Sequence, residues 1–221
     1  PDTGGEFMLG ALCNTESGKD LDLASAALAD STARPFFKVA GVQWGALNKV
    51  NGGTSLGNLP VWVSQHRCGN YPWESSTYNS IQAPNDQTYG VESWGYIRDA
   101  INKGKVTAYH AWNMVLDKVG NGIDTHRQWN QNALLAIDAA TKTVKITPAY
   151  CVFRHFSQFV DVGASVLSSA GESVAFKNPD GSLVAVMYSA AAKDNFVVSI
   201  GGKKLQFNMP ATSWATVKVK P

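Results

Sequence analysis

The sequence predicts an α/β part built on a parallel sheet, followed by an all-β antiparallel sandwich. Three observations lead there. Short apolar runs at residues 36–44, 61–63 and 106–116 are separated by helical patterns or long crossovers, as the strands of a parallel sheet are. From Gly163 onward every patterned segment is a strand, joined to the next by a turn signal. And each of the three early runs breaks at its end into polar and aromatic residues, as buried parallel strands do where they open into a site.

Taken in order, residues 2–5 read as a turn, rich in Gly and Asp. Residues 21–29 place Leu21, Leu23, Ala24, Ala27 and Leu28 at helical spacing, with Pro35 as the stop. FFKVAGVQW then reads as a strand ending in Gln43 and Trp44. Gly52, Gly53 and Gly57 mark a loop before VWVSQHRCGNYPW, residues 61–73. There a strand ends at Val63; Ser64, Gln65, His66 and Arg67 stand at its mouth, and Asn70, Tyr71, Pro72 and Trp73 make a stiff aromatic loop. Residues 75–89 are a long polar loop, uncommon in a compact domain unless it has a function. Residues 91–102 read as a helix through Trp94, Ile97, Arg98 and Ile101, with Gly104 as its C-cap. VTAYHAWNMVL, residues 106–116, reads as one strand carrying Tyr109, His110, Trp112 and Asn113. After Gly120 and Gly122, residues 132–147 hold a short apolar stretch and a basic turn. Pro148 opens a helix through residue 160, with Tyr150, Phe153, Phe156 and Phe159 near helical spacing. Strands follow at 166–169, 173–177, 183–188, 195–200, 204–207 and 214–218, with turns at Asn178-Pro179-Asp180-Gly181 and Gly201-Gly202. There is no internal repeat and no low-complexity segment.

Composition bounds the function. The chain has 221 residues, enough for one domain or one and a half. Only 16% are charged and the net charge is +2, which argues against a nucleic-acid binder with its basic stripe. No apolar run approaches the roughly 20 residues of a membrane span. Seven Trp, seven Tyr and nine Phe suit either rings stacked on sugar faces or a thick core. Cys13, Cys68 and Cys151 allow one bridge and a thiol, or three thiols; an odd count with no CxxC gives no metal site. The opening Pro1-Asp2-Thr3-Gly4-Gly5 has no initiator Met, signal peptide or apolar lead-in and reads as the interior of a longer polypeptide.

In a parallel α/β barrel all strand ends share one face, and that face holds the active site. Gln43-Trp44, Ser64-Gln65-His66 and Trp112-Asn113 would then converge. Trp44, Trp73, Tyr109 and Trp112 form either a sugar-stacking wall or a cap on the barrel; Asn113, His66 and Arg67 are placed to bond hydroxyls. His66, His110, His126 and His155 lack metal-ligand spacing. No GxSxG elbow is present, and Glu74, Glu92, Asp99 and Asp117 are too scattered to name a catalytic pair.

VWVSQHRCGNYPW, AYHAWNMVLDKVGNG, ITPAYCVFRHFSQFVDVGA, VAFKNPDGSLVAVMY and FNMPATSWATVKV together closely resemble glycoside hydrolase family 30, which includes glucosylceramidases, β-1,6-glucanases, β-1,6-galactanases and xylanases. The five matches run in order from about Val39 onward. The resemblance implies the C-terminal part of a (β/α)8 TIM barrel, strands six to eight, and an antiparallel β-sandwich side domain. The expected parts are residues 1–147, half-barrel; 148–162, connecting helix; and 163–221, sandwich. It also implies a retaining mechanism with two glutamates. The nucleophile position, a Glu in the family, is Gln65 here; the acid/base glutamate of strand four lies outside these residues. Substrate-binding roles fall by the same resemblance to Gln43 and Trp44 on strand six and Trp112 with Asn113 on strand eight, beside His66, Tyr71, Trp73 and Tyr109.

A retaining route needs an attacking carboxylate and a second carboxyl about 5 Å away. An amide at position 65 removes the covalent route and is expected to cost several orders of magnitude. A half-barrel also leaves sheet edges open, so the expected partner is an N-terminal half or a second copy of the chain. The expected ligand is a β-linked carbohydrate, with no cofactor. The other readings are a non-catalytic carbohydrate-binding or assembly module, and a purely structural fragment. The resemblance implies secretion, or the lysosome for an animal glucosylceramidase.

Overall fold

The computed structural model describes residues 5–13, 19–43, 46–121 and 129–220. Trp44, His126, Gly122 and most of the opening turn lie outside the described residues. The chain forms two compact units, Pro1–Arg67 with Asp99–Trp112, and Cys68–Arg98 with Asn113–Pro221. These units are cut elsewhere than the expected boundaries after residues 147 and 162.

The first unit is built on a four-stranded parallel sheet of β1 (Phe7–Leu12), β2 (Phe37–Gln43), β3 (Val61–Gln65) and β4 (Ala108–Tyr109), in that order. The expected parallel pairing is present, with one strand more than the three expected. β1 escapes sequence reading because Gly10, at φ 69°, breaks its register against β2. β2 is buried on both faces through Val39, Ala40 and Val42, which is why it reads as a continuous apolar run. Gly41 completes that run because nothing larger fits: a Cβ would lie 2.7 Å from the Gly10 carbonyl oxygen. In β3 only Val61 and Val63 are buried.

The crossover helix α1 (Lys19–Ala29) follows β1. Its first turn holds Asp20 and Asp22, favourable at the positive helix end, and the Asp20 carboxylate accepts the Cys13 N–H at 2.8 Å. The helix ends at Ala29 before Pro35 can stop it. Asp30 accepts the Thr32 N–H at 2.8 Å and its hydroxyl at 2.6 Å, a local turn that competes with further helix. Those bonds, the hydroxyl first, hold the Asp30 carboxyl below its ordinary pKa.

Residues 106–116 do not form one strand. β4 covers only two residues, and Val115 belongs to β5 (Val115–Asp117) in another sheet. The break is at Asn113, which takes φ 59°, a conformation that Asn tolerates better than most residues. Helix α2 (Gln87–Asn102) starts four residues before the expected position 91. The Asp86 carboxylate caps it, accepting the Thr88 and Tyr89 N–H groups at 3.0 and 3.2 Å. At its end Lys105 takes the left-handed conformation (φ 53°) in place of the expected Gly104. Gly104 answers a packing need instead: a Cβ there would lie 2.7 Å from both the Ala100 oxygen and Leu47 Cδ1.

The second unit holds three further sheets. β5 pairs parallel with β6 (Leu135–Asp138), which pairs antiparallel with β7 (Thr143–Ile146). That hairpin is the strand content hidden in the expected apolar stretch and basic turn. Helix α3 (Pro148–Ser157) has Thr147 as N-cap, accepting the Tyr150 N–H, and Pro148 in its first turn. β8 (Ser165–Leu167), β9 (Ser173–Lys177), β10 (Leu183–Ser189) and β13 (Ser213–Val219) form an antiparallel sheet in the order β13-β10-β9-β8. β11 (Lys193–Ile200) and β12 (Lys203–Met209) pair as a separate hairpin through Gly201 and Gly202, both at positive φ.

β10 explains the sandwich. Ala185 and Met187 on one face pack with Met209 and against Phe196, Phe207 and Val217. Val184 and Val186, on the other, are fully buried. On that side Phe156 of α3 lies edge-on to Phe176 at 6.2 Å and stacks on Trp94 at 5.9 Å. The Trp94 indole N–H and the Arg98 guanidinium both reach the Glu172 carboxylate. The Asn178–Gly181 turn closes with a Gly181 N–H to Asn178 carbonyl bond of 2.9 Å. None of the three cysteines forms a disulfide.

Candidate functional site

Two groups of the expected site residues are assembled, one in each unit. In the first unit Gln65 closes β3. Its Oε1 accepts a hydrogen bond from the Gln43 side-chain amide at 2.9 Å. The two side chains stand at the ends of neighbouring strands, opposite each other in the register, so the parallel sheet itself brings them together. Ser64, one residue earlier, turns its hydroxyl to the Val42 carbonyl at 3.2 Å.

His66 follows Gln65 and is fully buried. Its Nδ1 lies 2.5 Å from the Tyr109 hydroxyl, and its N–H donates to the His110 carbonyl at 3.0 Å. Burial, and then the neighbouring Arg67 charge, push its pKa down from 6.5 to about 3. A neutral imidazole locked to a phenol at the end of β3 is a rigid polar wall rather than a general acid at neutral pH. His110 directs Nδ1 to the Val63 carbonyl at 3.0 Å and sits 5.6 Å from the Trp62 ring. Trp112 is half-buried.

In the second unit Tyr71 is buried and Trp73 is 64% exposed; their rings stack at 5.1 Å with planes 25° apart. Trp129 completes the cluster, 5.4 Å from Trp73 and edge-on to it. Its indole N–H donates to the Asn70 carbonyl at 2.6 Å. Tyr71 receives the Gly69 N–H on its hydroxyl at 3.0 Å and faces a Glu92 carboxylate oxygen at 3.5 Å. Asn113 donates to Gln131 Oε1 at 2.7 Å and to the Asn132 carbonyl at 3.2 Å. Asn70 bonds Asn79 and Asn130 through its side chain, which ties the segment after β3 both to the long loop and to residue 130. Trp129 was not expected in this role: it lies in QWNQN, a polar stretch without periodicity, and its partners are far away in sequence.

In the second unit Trp73 presents an exposed ring stacked on the buried Tyr71; in the first, the Gln43–Gln65 pair offers amide donors and acceptors. Among the described residues no group of three His, Cys, Asp or Glu side chains is placed to hold a metal ion. No helix among them is long and apolar enough to cross a membrane.

Comparison with known proteins bears on the sandwich and on the fold. Residues 157–217 match the glycosyl hydrolase family 30 beta sandwich domain. No curated protein matches the sequence. Among solved structures, the chain is similar to SrfJ from Salmonella typhimurium, with a TM-score of 0.70 at 20% identity, covering 91% of this chain and 45% of that one. It is similar to the endo-beta1,6-glucanase BT3312, with a TM-score of 0.70 at 17% identity, covering 94% and 47%. The catalytic domain of GH30 xylanase C from Talaromyces cellulolyticus gives a TM-score of 0.61 at 17% identity, covering 90% and 49%. The chain thus spans about half the length of the structures it matches and shares their fold over most of its own. Residues 157–217 thus carry a family 30 beta sandwich domain, and the chain as a whole shares the fold of these neighbours.

Proposed function

We propose that this chain carries the nucleophile-bearing part of a retaining β-glycosidase architecture, with Gln65 standing where the family has its carboxylate. In this reading the parallel sheet of β1 to β4 is a segment of a (β/α)8 barrel. β1 and β4 each pair with one strand among the described residues, and an N-terminal half or a second copy of the chain closes the barrel. The acid/base carboxyl comes from that completing part. The chain is exported, as the resemblance implies, and its ligand is a β-linked glycan.

The observation that supports this most is the Gln43–Gln65 hydrogen bond at the end of β3. The Gln43 donor is placed to hold a carboxylate at position 65 by a charge-assisted bond, which is stronger than the present neutral one. With an amide there the site binds glycan and does not form a glycosyl ester, so turnover is absent. His66 and Tyr109 fix the backbone that follows the reacting position.

The test is Gln65→Glu assayed with 2,4-dinitrophenyl β-glucoside, β-galactoside and β-xyloside. These leaving groups depart without an acid catalyst, so a nucleophile alone suffices. The variant is expected to release dinitrophenolate and to gain the mass of one glycosyl unit; the Gln65 chain does neither. Silence of Gln65→Glu on every glycoside refutes the reading. A second reading, a glycan-binding module without chemistry, draws on the exposed Trp73; it expects glycan binding by both chains and ester formation by neither.

A further inference from the structure

The positive charge of the chain is unevenly placed. Residues 163–221 carry six lysines against three acidic residues, whereas residues 1–162 carry thirteen Lys or Arg against fourteen Asp or Glu. Four of the six lysines line one groove of about 890 Å³ between β12 and β13. Lys203 and Lys204 come from β12, Lys218 from β13, and Lys220 from just beyond it. All four are exposed. Leu205, Val217 and Val219 lie among them. Val217 packs against the cluster of Ala185, Met187 and Met209, and Leu205, 40% exposed, stands opposite Val198 in the hairpin. The groove thus sets exposed amines around a partly apolar surface. Lys218 approaches Asp161 at 3.7 Å. Asp180, its pKa lowered first by the Ser182 hydroxyl and last by Lys218 and Lys220, is the other acid nearby. Among the described residues no carboxylate lies in ion-pair range of Lys203, Lys204 or Lys220.

From this we infer that the groove binds an acidic polysaccharide, a polymer carrying a carboxylate or sulfate on its sugar rings. The amines meet the anions as point charges, and the apolar C–H faces of the rings cover Leu205, Val217 and Val219. Residues 216 to 220 extend over roughly 15 Å, so the groove takes a segment of polymer rather than one ring. Nucleic acid is a poorer occupant, because no aromatic side chain lines the groove to stack a base. An acidic peptide added as a strand is poorer too. β12 and β13 each pair with one strand among the described residues, and lysines on such edges deter further strand pairing. That protective role calls for charge on each edge separately. It does not call for amines of two strands and a following residue to meet on one groove. The inference rests on the sandwich lysines and is independent of the glycosidase reading, since it involves neither Gln65 nor Trp73.

The test is calorimetry and affinity electrophoresis of the full chain at low ionic strength and about pH 7, where lysines are charged. The probes are polygalacturonate, neutral dextran, polyglutamate and single-stranded DNA. Polygalacturonate is expected to saturate, and to bind at least about tenfold more weakly at about 150 mM salt, where exposed charges are screened. Dextran is expected not to bind, and polyglutamate and DNA to bind more weakly than polygalacturonate at equal charge. Lys203→Gln with Lys204→Gln is expected to weaken polygalacturonate about tenfold. Lys38→Gln with Lys145→Gln removes the same charge from exposed positions elsewhere and is expected to leave binding unchanged. Both double variants are expected to melt with the native chain, since all four side chains are exposed. No saturation by polygalacturonate, or equal losses in the two double variants, overturns the inference. Tighter binding of polyglutamate or DNA at equal charge overturns it in favour of a peptide or nucleic-acid surface.

Discussion

β3 and β10 are both inner strands with a neighbour on each side, yet they end differently. β10 stays apolar through Met187, and its last residue, Ser189, spends its hydroxyl on the Ala191 carbonyl in the next turn. β3 is apolar only at Val61 and Val63, then delivers Ser64, Gln65 and His66 in succession, the last fully buried. Polar groups around β10 are used up by near neighbours in sequence to close turns, as Asp180 does for Ser182. Those at the end of β3 are paired across the sheet with residues distant in sequence: Gln65 with Gln43, and the buried His66 with Tyr109. Burying such groups is tolerated only when every one has a partner. The sandwich satisfies its buried polar groups within local turns, whereas the strand end depends on the sheet to bring its polar partners together.

The comparison is sharpened most by Val186→Asp, which puts an unpaired charge at a position with no exposure. The cooperative far-UV transition is expected to vanish; survival with a modest loss would mean that β10 is less essential than its burial says. Gly41→Val comes next. Its Cβ meets the Gly10 carbonyl at 2.7 Å, and a loss of about 1–3 kcal/mol by urea titration is expected for such overpacking.

His66 gives the third test. Its pKa is about 3 in the folded chain against 6.5 as the ordinary value. Above 6.5 neither state binds the proton. As pH falls from 6.5 to 3 the unfolded chain gains it first, so stability present above 6.5 is progressively lost. The melting temperature between pH 7 and 4 is expected to fall more steeply in the native chain than in His66→Gln; parallel slopes would refute the burial of a neutral imidazole. Smaller is Thr147→Val, which deletes the α3 cap and the hydroxyl bond to the Ala133 carbonyl, at about 1 kcal/mol in chemical denaturation. The smallest stability change belongs to Trp73→Ala, within about 0.5 kcal/mol for an exposed side chain, yet retention on β-glucan in affinity electrophoresis is expected to fall. A melting temperature that drops instead would make the ring structural.

What could be read in advance follows the same contrast. β9 lies at the expected residues 173–177, because alternation and the flanking turns act locally. β1 was hidden by Gly10, and β4 was overextended because a run of aromatic and apolar residues does not announce the left-handed Asn113. At the site, Gln43 and Gln65 were legible from strand-end position and from family resemblance. The burial of His66, the ring contacts of Trp129 and the unpartnered amide of Asn132 depend on segments distant in sequence, and no local pattern encodes them.

The double burial of β10 also bears on how the chain is made. Its residues Leu183 to Tyr188 are apolar or aromatic and none of the seven is charged, the composition of a strand that templates others. In the finished fold β9 and β13 occupy its two edges. During synthesis β9 is already present, but β13 emerges only after β11 and β12, so one edge of β10 stays open while that hairpin is translated. A truncation before Ser213 makes this interval permanent and is expected to convert the most cohesive strand of the sandwich into an aggregation seed.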